Sequence, residues 1–342
     1  MTSDATHRET AVRLLALDAE AEIERITDTI RKQVSRVLKR QGAVVAISGG
    51  IDSSVTAALC VRALGPERVV GLMMPERHSS ADTAGLSRRL AESLGIHTEF
   101  EDITHILTSV GCYRRQEEAY RSVVPDYGEG WQAKIVLPPV TETDGFRFFS
   151  LVARAPDGTQ VEQRLDADTY LRILAATNFK QRVRKMLEYY HADRNNYAVA
   201  GTPNRLEYDQ GFFVKLGDGA ADLKPIAHLY KTQVYQLAEA LGVPEEIRNR
   251  PPTTDTYSMP QSQEEFYFSL PYAAMDVCLY AKNQGMSAMK AAELLDLAPE
   301  QIERVYRDID QKRRTTQYQH LSPALVEAVP QVTGHPDDLN HQ

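Results

Sequence analysis

The sequence predicts an α/β protein built on a doubly wound parallel sheet, and three observations lead to this fold class. Short apolar runs rich in β-branched residues recur at 43–48, 68–74 and 196–201. The first two runs are each followed by a segment with helical periodicity. Strands that alternate with helices in this way favour a parallel sheet covered by helices on both faces.

The elements of the first hundred residues follow one another closely. Residues 1–13 show no clear pattern and are expected to be disordered or frayed. After them, isoleucines and valines recur at helical spacing, which indicates an amphipathic helix with one buried face. The predicted elements in order are the helix 17–38, the strand 43–48, the helix 55–64, the strand 68–74, a helix capped by Ser79 or Ser80 that ends near Gly95, and the more exposed strand 97–102.

The regular alternation breaks in residues 111–165. Residues 146–165 alternate around Pro156-Asp157-Gly158, a turn signature that predicts an inserted β-hairpin. Helices are predicted over 168–191 and 231–242, and the last third of the chain is expected to be helical. We therefore expect one domain over 1–330, with an insert at about 106–167 and a flexible tail at 331–342.

Composition excludes several classes of protein. The net charge of -8 argues against nucleic acid as the main partner, because proteins that bind many backbone phosphates usually present a basic face. No apolar run approaches the ~20 residues that a membrane helix needs, so no membrane association is expected. The cysteines, Cys60, Cys112 and Cys278, are far apart and form no CxxC pair. We expect a cytoplasmic protein.

A phosphate-binding loop is predicted at Ser48-Gly49-Gly50-Ile51-Asp52-Ser53-Ser54, between a buried strand and a helix. In a parallel sheet the carboxyl ends of strands are where ligands bind. The glycines let the backbone approach an anion, and the helix N-terminus offers unpaired N–H groups. Asp52 would repel phosphate unless a cation such as Mg²⁺ lies between them. A simple glycine-rich turn is the structural alternative, which the complete motif disfavours.

This loop resembles the PP-loop of ATP pyrophosphatases, whose fold is of the adenine-nucleotide α-hydrolase type. Further motifs resemble those of ammonia-dependent NAD synthases, over about residues 15–105 and 168–255. Several motifs in the same order make this resemblance more specific than the loop alone. The matching segments are 178–184 (NxKxRxR), 201–207 (GTxNxxE), 211–222 (GYFTKYGDGAAD), 229–234 (LYKTQV) and 251–253 (PPT).

The resemblance implies ATP and Mg²⁺ as cofactors and assigns roles to individual residues. Asp52 and Glu207 are implied to bind Mg²⁺, and Asp52 and Lys231 to act in catalysis. The substrate that is to be amidated is implied to be held by Arg182, Lys215 and Asp222, although Arg182 could also belong to a solvated cationic stripe. The implied ATP-binding residues are Ala46, Ile47, Ser48, Gly49, Gly50, Ile51, Asp52, Ser53, Thr202, Lys231 and Thr253.

The implied reaction is that of a carbon–nitrogen ligase. A carboxylate, deamido-NAD in this family, is adenylated by ATP with release of pyrophosphate, and ammonia then converts the acyl-adenylate to an amide. Glutamine-dependent relatives carry a separate amidase domain, whereas the segment before the first strand here ends at residue 42. We therefore expect free ammonia, or ammonia from a separate protein, as the donor. The family also implies a homodimer.

Two departures from the family pattern leave an alternative open. The insert is one, and the other is Gln317-Tyr318, which stands where the family has the His-Lys of an HKR-type motif. The alternative is an NAD-synthase-like amide synthetase that acts on another carboxylic acid, such as a sugar acid or a specialised metabolite. A tRNA-thiolating enzyme would need paired cysteines and a basic face, and the set of Asp52, Glu207 and Lys231 argues against a non-catalytic nucleotide-binding module.

Replacing the carboxylate of the loop tests the PP-loop interpretation directly. We expect Asp52→Ala to abolish pyrophosphate release in the presence of ATP, Mg²⁺, ammonium and the acceptor carboxylate, because the metal that neutralises the polyphosphate would lose a ligand. Pyrophosphate release by the purified variant is the measurement. Full activity of this variant would show that the loop does not hold ATP in the predicted way.

Overall fold

A parallel sheet organises the fold and confirms the predicted class; its strands lie in the order β3 (His97–Phe100), β2 (Val69–Met73), β1 (Ala43–Ala46) and β7 (Ala198–Ala200). From β1 the chain first moves to one side, through β2 to β3, and later returns to place β7 on the other side of β1. This reversal makes the carboxyl end of β1 a topological switch point, where a crevice forms between diverging connections. The predicted phosphate loop begins at this point.

The computed structural model of the chain describes residues 3–140, 147–251, 256–261, 267–268, 270–327 and 329; the predicted tail, 331–342, lies outside them. The strands are β1 (Ala43–Ala46), β2 (Val69–Met73), β3 (His97–Phe100), β4 (Gln132–Val136), β5 (Ser150–Arg154), β6 (Gln160–Arg164) and β7 (Ala198–Ala200). The helices are α1 (Ser3–Leu14), α2 (Ala19–Lys32), α3 (Ile51–Leu64), α4 (Ala81–Leu94), α5 (Thr104–Ser109), α6 (Cys112–Arg121), α7 (Ala167–Asn195), α8 (Arg205–Gln210), α9 (Lys231–Ala240), α10 (Glu245–Arg248), α11 (Tyr272–Asn283), α12 (Ala288–Leu295) and α13 (Pro299–His320).

Successive residues of β1 face opposite layers of helices. Val45 packs in a core built with α2, α3, α4 and α9, whereas Val44 packs in a second core with α5, α6 and α7. Both side chains are fully buried, which explains why the strand reads as a continuous apolar run. The helix predicted to begin at residue 55 begins earlier, at Ile51, because its polar first turn has no apolar periodicity to reveal it.

The insert contains a second, antiparallel sheet in the order β4-β5-β6. Strands β5 and β6 form the predicted hairpin, with Gly158 at a φ of +90° in its turn. One face of the sheet is apolar and places Ile135 and Leu151 in a cluster with Ile173 of α7 and with Tyr257. Strand β4 was not predicted: its burial alternates, but its two inward side chains are only Ala133 and Ile135, which is a weak signal in five residues.

The prediction that residues 1–13 are disordered is wrong. Residues Ser3–Leu14 form α1, and Ala11 and Leu15 pack into a cluster built mainly by α11, α12 and α13. His7 also approaches the backbone oxygen of Leu295 at 2.7 Å. The partner surface for α1 lies near the other end of the chain, so local periodicity could not reveal it. Within the described ranges, no helix combines the length and apolarity needed to cross a bilayer.

The packing of α1 generates a stability prediction. Leu15 is 2% exposed whereas Val12 on the preceding turn is 52% exposed. We expect Leu15→Ala to lower the free energy of unfolding by about 2–5 kcal/mol through loss of burial and creation of a cavity. The control Val12→Ala should stay within about 0.5 kcal/mol of the wild type. Urea denaturation measures both, and equal effects of the two substitutions would contradict the docking of α1.

Candidate functional site

A cavity of about 1100 Å³ opens at the carboxyl ends of β1, β2 and β7. Its size suits a ligand larger than most metabolites, since pockets for drug-sized molecules span roughly 300–1,000 Å³. Residues from the phosphate loop and from all five further family motifs converge on it. The predicted site residues that line the cavity are Ala46, Ile47, Ser48, Gly50, Ile51, Asp52, Ser53, Arg182, Thr202, Glu207, Lys215 and Lys231.

The loop between β1 and α3 is held in a tight conformation by its own side chains. Gly49 has a φ of +66°, and a Cβ there would lie 2.9 Å from the Cβ of Leu86, so a larger residue would be strained and crowded. The Ser53 hydroxyl donates to the Gly50 carbonyl at 3.0 Å and lies 3.2 Å from the Ser48 hydroxyl. Residues of the first turn of α3 line the cavity, and the unpaired backbone N–H groups of a helix N-terminus suit an anion site.

Asp52 is the centre of a polar cluster at the start of α3. The ammonium group of Lys231 donates to one oxygen of Asp52 in a short ion pair. The side-chain amide of Asn204 donates to the other oxygen at 3.2 Å. Asn204 also caps α8: its side-chain oxygen accepts from the Glu207 backbone N–H at 3.3 Å, and its own backbone N–H donates to the Glu207 carboxylate at 3.0 Å. Two carboxylates and one lysine thus meet at the cavity wall.

The electrostatics of this cluster are unbalanced. Burial and the neighbouring charge of Asp52 raise the pKa of Glu207 to about 8, although Lys231 opposes the shift. Burial lowers the pKa of Lys231, but Asp52 and Glu207 outweigh it and raise the pKa overall. One cation faces two carboxylates, which is the charge pattern that a divalent cation would complete. No group of three or more metal-binding His, Cys, Asp or Glu side chains occurs in the described part of the chain.

Helix α9 is anchored by a buried carboxylate that the sequence did not reveal. Asp276 of α11 is fully buried and accepts hydrogen bonds from the backbone N–H of Thr232 and of Lys231, at 2.7 and 3.2 Å. The Thr232 hydroxyl donates to it as well, at 2.7 Å. Burial raises the pKa of Asp276 to about 6 against the effect of these hydrogen bonds. The carboxylate stabilises the N-terminus of α9 and so directs Lys231 into the cavity.

The predicted acceptor residues do not all meet. Arg182 donates to the Lys215 carbonyl at 3.3 Å, and Lys215 donates to the Tyr318 carbonyl at 2.8 Å, so Lys215 joins the cavity wall to the end of α13. The structure places Asp222 elsewhere: its carboxylate accepts from the backbone N–H of Val199 and from the Tyr189 hydroxyl, at 2.7 and 3.2 Å, outside the cavity lining. Thr253 lies outside the described residues.

Other residues of the site escaped the sequence analysis. Arg250 lines the cavity and donates to the Thr83 hydroxyl at 3.1 Å, beside the phosphate loop. Lys180 and Lys185, whose motif could be read as a solvated stripe, are buried. Lys180 donates to Glu76 and to the Thr256 carbonyl, both at 2.8 Å. Asn204 did carry a signal, since an asparagine three residues before a glutamate is typical of a helix N-cap.

The raised pKa of Glu207 generates a prediction about pH. The folded protein keeps this proton up to a pH of about 8, whereas the unfolded side chain loses it near its ordinary value of 4.5. The folded state therefore binds more protons in this window, and the stability contributed by Glu207 is lost as the pH rises through it. In metal-free buffer we expect the Tm of Glu207→Gln to rise relative to the wild type between about pH 5 and about pH 9.

Glu293→Gln, at an exposed side chain, is the matched control, and the difference between its Tm and that of the wild type should not depend on pH in this way. Differential scanning fluorimetry at a series of pH values measures all three proteins. If the Tm difference between Glu207→Gln and the wild type stays constant over this pH range, Glu207 is ionised throughout the range.

Comparison with known proteins identifies the family of this chain. The model of the NAD synthase family matches residues 22–124 and 155–319, and the unmatched segment between them lies within the predicted insert. The NH(3)-dependent NAD(+) synthetase of Mesorhizobium japonicum is 61% identical, over 91% of this chain and 98% of the relative. The enzyme of the same name from Rhizobium meliloti is 54% identical, over 93% of this chain and 95% of the relative.

Solved structures agree at the level of the fold. The NMN synthetase of Francisella tularensis superimposes with a TM-score of 0.61 at 20% identity, over 92% of this chain and all of that one. The NH3-dependent NAD synthetase of Campylobacter jejuni superimposes with a TM-score of 0.59 at 22% identity, over 91% of this chain and all of that one. With most of its length matched by the family model, and at 61% identity to a relative of that family, the chain belongs to the NAD synthase family.

Proposed function

We propose that the chain is a carbon–nitrogen ligase that converts deamido-NAD to NAD with ATP and ammonia. The observation that carries this proposal is the Asp52–Lys231 ion pair at the phosphate loop, in one cavity with Arg182 and Lys215. The relatives at 53–61% identity are named as NH(3)-dependent NAD(+) synthetases. They favour deamido-NAD as the acceptor over another carboxylic acid.

In this proposal the phosphate loop holds the β and γ phosphates of ATP. The residues Ala46 to Ser53 surround the start of α3, whose unpaired N–H groups and dipole attract anions. Lys231 is buried and fixed by Asp276 and Asp52, so its ammonium group is positioned before the substrate binds. A fixed cation stabilises negative charge that builds on the transferring phosphorus without reorganisation. Thr202 lines the same wall, and the ATP-binding role of Thr253 stays a prediction.

The carboxylates of Asp52 and Glu207 fit a magnesium ion. The raised pKa of Glu207 reflects burial and the proximity of the two carboxylates, and an added cation would relieve their repulsion. Magnesium is usually bound by one or two carboxylates together with waters and substrate phosphates, which matches the small number of acidic ligands here. The bound ion would supply charge neutralisation of the polyphosphate.

The chemistry then needs positioning more than acid–base catalysis. The acceptor carboxylate attacks the α-phosphorus of ATP, the bond to the bridging oxygen breaks, and pyrophosphate leaves. Ammonia attacks the carbonyl of the acyl-adenylate, loses a proton and expels AMP. Arg182 and Lys215 are proposed to orient the acceptor, because both line the cavity and present cationic groups near the end of α13. Asp222 stays a prediction, since its carboxylate lies outside that lining.

We also propose a homodimer. Met186 and Tyr190 lie one turn apart on α7 and are 55% and 57% exposed, so they present an apolar surface that a second copy could cover. Light scattering of the purified protein measures the oligomeric state directly.

The decisive experiment follows NAD by mass spectrometry with ATP, Mg²⁺, ammonium and deamido-NAD. We expect AMP, pyrophosphate and NAD in equal amounts, and no NAD when glutamine replaces ammonium. Lys231→Met should lower kcat by about 10²–10³-fold, since it removes the fixed cation at the phosphorus. The exposed substitution Lys290→Met is the control and should be neutral.

Two outcomes would contradict the proposal in different ways. A wild-type protein that binds ATP but makes no NAD would exclude deamido-NAD as the acceptor. A Lys231→Met variant with unchanged kcat would leave the overall reaction in place but remove Lys231 from its mechanism.

A further inference from the structure

The insert contributes directly to the wall of the cavity. Arg147, which precedes β5, and Phe149 beside it both line the cavity. The side chain of Arg147 is 11% exposed, so its charge lies in a largely enclosed position. Both residues fall in the segment between 124 and 155 that the family model does not match. A segment that the family model does not match therefore reaches the active-site cavity.

Arg147 is held by a carboxylate on α13. Its guanidinium donates to Asp308 in a short ion pair and to the Pro138 carbonyl at 3.2 Å. Lys312, one turn further along α13, lies 2.7 Å from the second oxygen of Asp308 and donates to the Tyr267 carbonyl at 2.8 Å. A single carboxylate is thus shared by two cations, both of which line the cavity.

The charge on this wall is strongly positive. Arg304 and Arg307, on the same helix as Lys312, line the cavity too. Among the described cavity-lining residues of the insert and of α13, four are cationic and Asp308 alone is acidic. Because low-dielectric walls concentrate the field of such charges, the wall attracts a multiply charged anion. Arginine in particular matches the geometry of phosphate oxygens.

An aromatic platform adjoins the cationic wall. Phe149 stacks on Tyr170 of α7 with ring centroids 4.4 Å apart and an interplanar angle of 11°. Both rings line the cavity. Aromatic surfaces next to arginines suit a ligand that carries heterocyclic bases as well as phosphates. ATP has its own phosphate site at the start of α3, on a different element, so the wall is available to the second substrate.

We propose that Arg147, with Arg304, Arg307 and Lys312, binds the pyrophosphate bridge of the dinucleotide acceptor. This inference rests on the proposed function and adds to it a group of acceptor-binding residues supplied by the insert and α13. Arg147 is an acceptor-binding residue rather than a catalytic one, because the reacting carboxylate must lie at the α-phosphorus of ATP near Asp52 and Lys231. The wall would select carboxylic acids that carry phosphates over those that do not.

The test compares Arg147→Gln with the wild type by isothermal titration calorimetry, with deamido-NAD and with ATP as separate titrants. We expect the Kd for deamido-NAD to rise by about ten- to a hundredfold, since a charge-assisted hydrogen bond to phosphate is lost. The Kd for ATP should change by less than about twofold, as its phosphates bind elsewhere. In steady-state kinetics the KM for deamido-NAD should rise while kcat changes little.

Three further variants control for folding and for charge. Arg164→Gln removes an arginine of the same insert whose guanidinium lies over Phe148, outside the cavity lining, and should bind both substrates as the wild type does. Arg147→Lys keeps the charge beside Asp308 and should recover part of the affinity. Arg307 is exposed, so Arg307→Gln should weaken deamido-NAD binding with an unchanged Tm.

The possible failures are distinguishable. If the wild type makes NAD but Arg147→Gln and Arg307→Gln bind deamido-NAD normally, the wall is not an acceptor site and the proposed function stands. If Arg147→Gln weakens the binding of ATP as much as that of deamido-NAD, the wall binds ATP and this inference is overturned. If the wild type does not bind deamido-NAD at all, both proposals fail together.

Discussion

The ion pair between Lys231 and Asp52 is the interaction on which the rest of the site depends. A lysine that is 2% exposed loses nearly all of its hydration, and it remains charged only because carboxylates face it. Asp52 lies in the first turn of α3 and Lys231 is the first residue of α9, so the pair joins the N-terminal ends of two helices far apart in the sequence. Asn204 extends the link to α8, and Asp276 to α11. Helices α3 and α9 also pack in one hydrophobic core, and the ion pair fixes their N-terminal ends at the cavity.

The cavity is electrostatically divided. At the phosphate loop the carboxylates of Asp52 and Glu207 outnumber the single lysine, and the raised pKa of Glu207 follows from burial and this excess of negative charge. At the insert and α13, Arg147 and Lys312 share Asp308, which leaves an excess of positive charge. A metal-bound polyphosphate suits the first region and an anionic acceptor the second. The separation keeps two highly charged substrates apart except where they must react.

Much of the fold and of the ATP side of the site could be predicted from the sequence. The strands of the parallel sheet are short apolar runs because they are buried on both faces, and that signal is local. The hairpin could also be predicted from a local signal, the turn residues between β5 and β6. The convergence of Asp52, Glu207 and Lys231 followed from their positions in motifs, although Asp222, predicted on the same basis, lies outside the cavity lining.

What the sequence by itself determined was the alternation of helices with the strands of the parallel sheet, the phosphate-loop motif and the family, since each depends on neighbouring residues or on recurrent motifs. The tertiary structure alone decided that α1 docks on the C-terminal helices, that Asp276 supports Lys231, and that Arg147 joins α13 at the cavity. Each of these is a contact between residues far apart in the chain. Such contacts depend on burial and on paired charge in three dimensions, which leave no periodic trace in a single sequence.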